Sequence, residues 1–173
     1  MLVLIDTNVL IDSITKREPF CFYADKVIDF FRQEIINGAI TGHSVSNAMY
    51  ILRKNFSLPE LKELFLSLCE FLHVEAVDFL KIIQASNDDT FSDFEDCLQE
   101  KCAINFKAYF IITRDVKDFK SSQIPAISLG NFCKLLEPEY SEEKKDCRQI
   151  KKICLASCHS SQIDRKVAKR WRR

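Results

Sequence analysis

The chain has 173 residues, 47% of them hydrophobic, with 25 Lys and Arg against 25 Asp and Glu, 3 Gly and 8 Cys. That length and apolar content fit one domain with its own core and exclude intrinsic disorder. No run reaches the roughly 18 apolar residues of a membrane span, and the few glycines form neither a G-x-G-x-x-G nor a G-x-x-x-x-G-K-[ST] phosphate loop.

Met1 leads straight into Leu2-Val3-Leu4-Ile5, without a basic stretch and too briefly for a signal peptide. This predicts a cytoplasmic protein with free thiols rather than a disulfide framework. The balanced charge hides an asymmetry. From Ser141 onward 11 basic residues face 4 acidic ones, so the tail carries +7 and the preceding residues −7. Such a split marks either an arm for a polyanion or a solvated terminal helix.

Leu2–Ile5 reads as a strand buried on both faces. Helical spacing follows from Val9, and again over Phe20–Ile36, with Asn37-Gly38 as its stop. Ala39–Gly42 is a candidate second strand, and Ser44 a cap for the helix through Tyr50, Ile51 and Leu52. Ser57-Leu58-Pro59-Glu60 opens another helix. Leu72–Glu75 is a short strand, Val77–Ala85 a helix broken by Asn87-Asp88-Asp89, and Ser92–Ile104 a helix opening with a cap and three acids. Tyr109–Ile112 is an apolar strand, Ile124–Ser128 a last short one, and Asn131–Leu136 a short helix. Alternating strands and helices predict an α/β fold in three layers around a parallel sheet. The composition shifts near Pro138, dividing the chain into a domain at 1–137 and a basic tail at 138–173, helical or flexible.

Sites in open parallel sheets form beyond the carboxyl ends of the strands. Asp6 ends the first strand, and Asp115 follows Ile111-Ile112. Asp93, Glu95 and Asp96 open the helix before that strand, where the helix dipole also favours acids. Carboxylates converging at one sheet edge repel unless a cation bridges them or an Arg, such as Arg114 or Arg53, pairs with each. An all-oxygen set suits Mg²⁺ or Mn²⁺, and such ions activate water and neutralise a phosphodiester transition state.

These residues resemble the PIN-domain family, in particular VapC-like toxin ribonucleases. Leu4-Ile5-Asp6-Thr7-Asn8-Val9-Leu10 is similar to that family's first strand and metal-binding Asp. Asp93-Phe94-Glu95-Asp96 followed by Thr113-Arg114-Asp115-Val116-Lys117-Asp118-Phe119 is similar to one PIN-like branch, and the likeness runs over about residues 1–137. The resemblance implies a three-layer fold with a central parallel sheet of about five strands. It also implies a metal-dependent endoribonuclease that uses Mg²⁺ or Mn²⁺ and serves as the toxin of a type II toxin–antitoxin pair. Carried over by position, Asp6, Asp96 and Asp115 are the catalytic, metal-coordinating acids. Thr7, Asn8, Asp93 and Thr113 support them, and Asp118 is an additional acid. The departure is Asn47, which stands where the family has an acid. It favours the alternative of a catalytically weakened PIN-fold module that binds RNA or protein. Candidate partners are an RNA substrate, an antitoxin protein and a second copy of the chain, with no membrane.

His43, His73 and His159 have no spacing that supports a catalytic triad. Cys147, Cys154, Cys158 and His159 suggest a zinc site, but the three cysteines share one helical face and read more simply as small apolar residues. Phe119 is placed next to Asp118 to shape the site, and Lys117 and Lys120 to meet neighbouring phosphates.

Overall fold

Five parallel strands alternate with helices along the chain. The structure, a computed structural model, describes residues 1–143, with side chains as far as Leu136. β1 (Leu2–Ile5) is followed by α1 (Thr7–Thr15) and α2 (Cys21–Arg32), and β2 (Asn37–Thr41) by α3 (Gly42–Leu52) and α4 (Leu58–Cys69). β3 (Leu72–Glu75) precedes α5 (Phe79–Ser86) and α6 (Phe94–Asn105). β4 (Phe110–Thr113) leads through a 3-10 turn, Val116–Phe119, to β5 (Ala126–Ser128) and α7 (Leu129–Glu143). The strand order is β3-β2-β1-β4-β5, the expected three-layer α/β/α arrangement. Met1–Cys133 forms one compact unit.

The apolar run of β1 sits at the centre of the sheet because both of its faces are covered. Val3, Leu4 and Ile5 expose nothing, and burying each such side chain stabilises by about 1.5–3 kcal/mol. Leu4 stands opposite Ala39 on one side and Ile111 on the other, and Ile5 opposite Ile112. The ladder continues one residue further, where the Asp6 N–H donates to the Ile112 carbonyl at 3.0 Å. This register brings Asp6 level with the end of β4.

Several local readings are corrected. Asn37-Gly38 does not stop a helix: Asn37 already pairs with Leu2 in β2. α2 ends at Arg32, and the left-handed residue beyond it is Glu34 (φ 57°). Gly38 is required for close approach instead, since a Cβ there would run into the buried Phe31 ring. Thr41, not Ser44, caps α3, its hydroxyl accepting from the Ser44 N–H at 2.9 Å. Asp93, not Ser92, caps α6. Phe119 is buried in the core against Phe91 rather than lining the site. The Glu60 carboxylate accepts from the Ser57 N–H and hydroxyl, both at 2.9 Å, closing the start of α4 as expected. Cys21, Cys69, Cys97, Cys102 and Cys133 are free thiols. Among the described residues no helix is long and apolar enough to cross a membrane. The tail helix and the Cys147/Cys154/Cys158/His159 set lie outside the described residues.

Candidate active site

The strand order reverses at β1, whose neighbours are β2 and β4, and ligands of open parallel sheets bind in the crevice at such a point. A cleft of about 370 Å³ opens there. Asp6, Thr7, Asn8, Asn47, Asp93, Asp96, Asp115 and Asp118 all line it. Thr113 joins them by donating its hydroxyl to Asp6 Oδ2 at 2.7 Å. Acids from the ends of two strands and the start of one helix thus share a single crevice.

Asp6 is both the last residue of the β1 ladder and the N-cap of α1. Its Oδ2 also accepts from Asn8 Nδ2 at 2.5 Å, and its Oδ1 from Gln99 Nε2 at 3.1 Å. The same Asn8 amide reaches Asp115 Oδ2 at 3.3 Å and so ties the two acids together. Burial raises the pKa of Asp6, against the lowering effect of the hydrogen bonds from Thr113, Gln99 and Asn8. Thr7 donates to Ser44 Oγ at 2.9 Å, linking α1 to α3.

Asp96 lies in the first turn of α6, set there by the Asp93 cap, whose Oδ1 accepts from Glu95 N at 2.7 Å and Asp96 N at 3.4 Å. Its pKa is pushed up to about 7, first by burial and then by the charges of Asp6, Asp93, Asp118 and Glu95. Among the described residues no cation offsets them, so the metal-free carboxyl is half protonated near neutrality. The native state therefore binds a proton that the unfolded chain has released between about pH 4 and 7. Stability from this group is full below that window and is lost as pH rises through it. At pH 8 the metal-free Asp96→Asn variant is expected to melt roughly 3–8 °C above wild type. The gap closes near pH 4, as thermal melts by circular dichroism at both pH values will show.

Sequence reasoning passed over Gln99 and Asp12, and over the partners of Glu95. Glu95 accepts both contacts of the Asn47 amide, at 3.0 and 3.2 Å, and lies 3.3 Å from His43 Nε2. The corner of the cleft that lost an acid at position 47 therefore still holds a carboxylate, delivered from α6. Gln99 is one turn after Asp96, a spacing that puts both on one face, and that spacing was its available signal. Asp12, one turn after Asn8 on α1, is fully buried and takes Arg114 Nη1 on both carboxylate oxygens at 3.1 Å. Arg114 also donates from Nε to Asp115 Oδ2 at 3.3 Å and stacks over Phe20. The Arg pairing considered for Asp115 is thus present, while Asp6 and Asp96 have no such partner among the described residues.

The donor set is entirely oxygen: the carboxylates of Asp6, Asp96, Asp115 and Asp118 line the cleft, as does Gln99, whose buried Oε1 has no hydrogen-bond partner among the described residues. Hard cations such as Mg²⁺ and Mn²⁺ fit that chemistry. A separate cluster, Asp88, Cys97 and Glu100, could also be read as a metal site. There the Lys101 ammonium already lies 2.6 Å from Asp88 and 2.7 Å from Glu100, supplying the cation itself.

The family model of the PIN domain matches residues 2–117. No curated protein matches the chain. One similar solved structure is a chain of a toxin–antitoxin complex from Klebsiella pneumoniae. It is 19% identical, with a TM-score of 0.56, covering 73% of this chain and 97% of that one. A second is a chain of VapBC2 from Rickettsia felis, solved bound to a DNA fragment from the promoter. It is 15% identical, again with a TM-score of 0.56, covering 74% and 98%. At these identities the likeness is one of fold. The family match spans more than half of the sequence and runs through Asp6, Asp96 and Asp115, so the chain belongs to the PIN-domain family, whose members are generally nucleases.

Proposed function

We propose that the chain is a metal-dependent endoribonuclease that hydrolyses RNA phosphodiester bonds, with Asp6, Asp96 and Asp115 holding one or two Mg²⁺ or Mn²⁺ ions. The observation that carries this reading is the meeting of acids from β1, β4 and α6 at the sheet's switch point, two of them without a cationic partner among the described residues. Bound there, the ion would lower the pKa of a water and offset charge on the phosphate. The chain's own part is to hold the acids in place. Asn8 spans Asp6 and Asp115, the Thr113 hydroxyl orients Asp6, and the Asp93 cap presents Asp96. Asn47 steadies Glu95, and Asp118 borders both this cleft and a second hollow lined by Lys117, Lys120 and Phe91. Backbone phosphates of a single strand would run from the acids toward those lysines.

Full-length protein with Mn²⁺ is expected to cleave single-stranded RNA and to stop when EDTA is added. No cleavage, with Mn²⁺ bound, would favour the RNA- or protein-binding module that the absence of an acid at position 47 suggests. The fold shared with chains of toxin–antitoxin complexes supports a toxin of that kind, held by an antitoxin; a cytoplasmic place and pairing with a second copy of the chain complete the proposal.

In the same reading, 1–137 is the nuclease and the basic tail adds RNA affinity without a catalytic group. Replacing Arg165, Lys166, Lys169, Arg170, Arg172 and Arg173 by Gln is expected to weaken RNA binding and to flatten its salt dependence. For a single strand the slope changes by about 0.7 for each phosphate that the tail no longer neutralises. Binding isotherms at several salt concentrations measure it, and an unchanged slope assigns the tail elsewhere.

A further inference from the structure

Gln99 is 1% exposed and lines the cleft with Asp6 and Asp96. Its Nε2 donates to Asp6 Oδ1 at 3.1 Å. That bond settles which way the amide faces, since the flipped amide would set its carbonyl against a carboxylate oxygen. Oε1 is then left with no donor among the described residues. An unmet buried acceptor loses its hydration without return, and a Met of similar volume would avoid that cost. Gln99 shares the cleft with Asp6 and Asp96, and the charges of Asp6, Asp93, Asp118 and Glu95 that act on Asp96 are all negative. A hydrated divalent cation answers both needs together: its charge suits the acids, and the protons of its water shell suit a neutral carbonyl. Mg²⁺ keeps several waters when it binds protein carboxylates, and groups that hold such a shell orient the ligands around it.

We propose that Gln99 is a positioning residue of the ion site: Nε2 fixes Asp6, and Oε1 accepts a hydrogen bond from the hydration shell of a divalent cation held by Asp6 and Asp96. The inference rests on the metal-dependent reading above and extends it to an uncharged residue. A lone buried water on Oε1 is the competing occupant.

The test is calorimetric titration of the full chain with MnCl₂, alongside melts without metal. Gln99→Met removes both halves of the amide, while Gln99→Glu keeps an oxygen but loses the donor to Asp6. Gln99→Met is expected to weaken Mn²⁺ binding by about 10- to 100-fold while still melting cooperatively without metal. Gln99→Glu is expected to bind Mn²⁺ at least as tightly as wild type. If Gln99→Met binds as tightly as wild type, Oε1 serves a water alone and the inference fails, with the ion site intact. If Met and Glu lose affinity equally, only the donor to Asp6 matters and the role of Oε1 falls. If wild type binds no Mn²⁺, or Asp96→Asn binds as wild type does, the metal reading fails and takes this inference with it. Should the Met variant not fold, Glu decides alone: retained affinity supports the role of Oε1, and a loss overturns it.

Discussion

Asp6→Asn is expected to lower the rate of Mn²⁺-dependent RNA cleavage by at least about 10³-fold, near 4 kcal/mol of transition-state stabilisation. The carboxylate stands at the end of the central strand, in a position set by the β1–β4 register and by donors from Asn8, Thr113 and Gln99. Asn keeps the shape and one acceptor oxygen, so the sheet and the α1 cap survive. The charge that attracts the ion does not. Burial already disfavours that charge, so the metal-free variant should melt no lower than wild type. Mn²⁺ raises the melting temperature of the wild type by mass action, and this rise should vanish in Asp6→Asn. Single-turnover cleavage of a labelled single-stranded RNA and a melt with and without Mn²⁺ measure the two effects. Undiminished cleavage by the variant would place the activity at another site or in a contaminant.

Arg114→Ala is expected to destabilise the fold by about 3 kcal/mol, the low end of the cost of breaking a buried ion pair. Asp12 has no exposed surface, and Arg114 covers both of its oxygens at 3.1 Å. The residual cation, Arg17, stands 3.9 Å away with a side chain 56% exposed, so it can soften the loss without replacing the pair. The melting temperature should fall by roughly 6–12 °C. Burial raises the pKa of Asp12 against the pull of Arg114 and Arg17, and the variant raises it further. The penalty therefore shrinks as pH falls and Asp12 takes up a proton, and it is largest above neutrality. Arg114→Lys should recover only part of the loss, because an ammonium cannot meet a carboxylate in the forked geometry of a guanidinium. Adding Asp12→Asn to Arg114→Ala should restore stability by removing the stranded charge. Urea unfolding of the four combinations at two pH values gives the coupling energy.

The elements that could be read from residues alone are those whose signal is local. β1 is an unbroken apolar run, so its burial on both faces follows from composition, while its central place in the order β3-β2-β1-β4-β5 came from the fold. Ser57-Leu58-Pro59-Glu60 carries its own start signal, and α4 begins there. Asp6 stood out because it follows directly on four apolar strand residues, and Asp115 because it comes just past the apolar run of β4, with only Arg114 between it and the strand. The misread positions are those where a distant neighbour overrides a local preference. Gly38 has the look of a turn, yet the Phe31 ring claims the space of its side chain.

Helix α5 shows the same limit more sharply. The spacing gives a helix there but not which side faces the core: the apolar Phe79 is 72% exposed and Lys81 only 5%. Lys81 turns inward because Glu75 at 3.3 Å and Asp78 at 2.8 Å await it, and no periodicity rule anticipates a buried ammonium met by two acids. In the cleft, residue types and spacing determined which acids were present, and the parallel register determined that they meet. The loss of an acid at position 47 was plain in the sequence. That Glu95, 48 positions along the chain, reaches the Asn47 amide depends on α3 and α6 approaching across the sheet's switch point. Such a meeting arises from packing between elements distant in sequence, so only the tertiary structure could decide it.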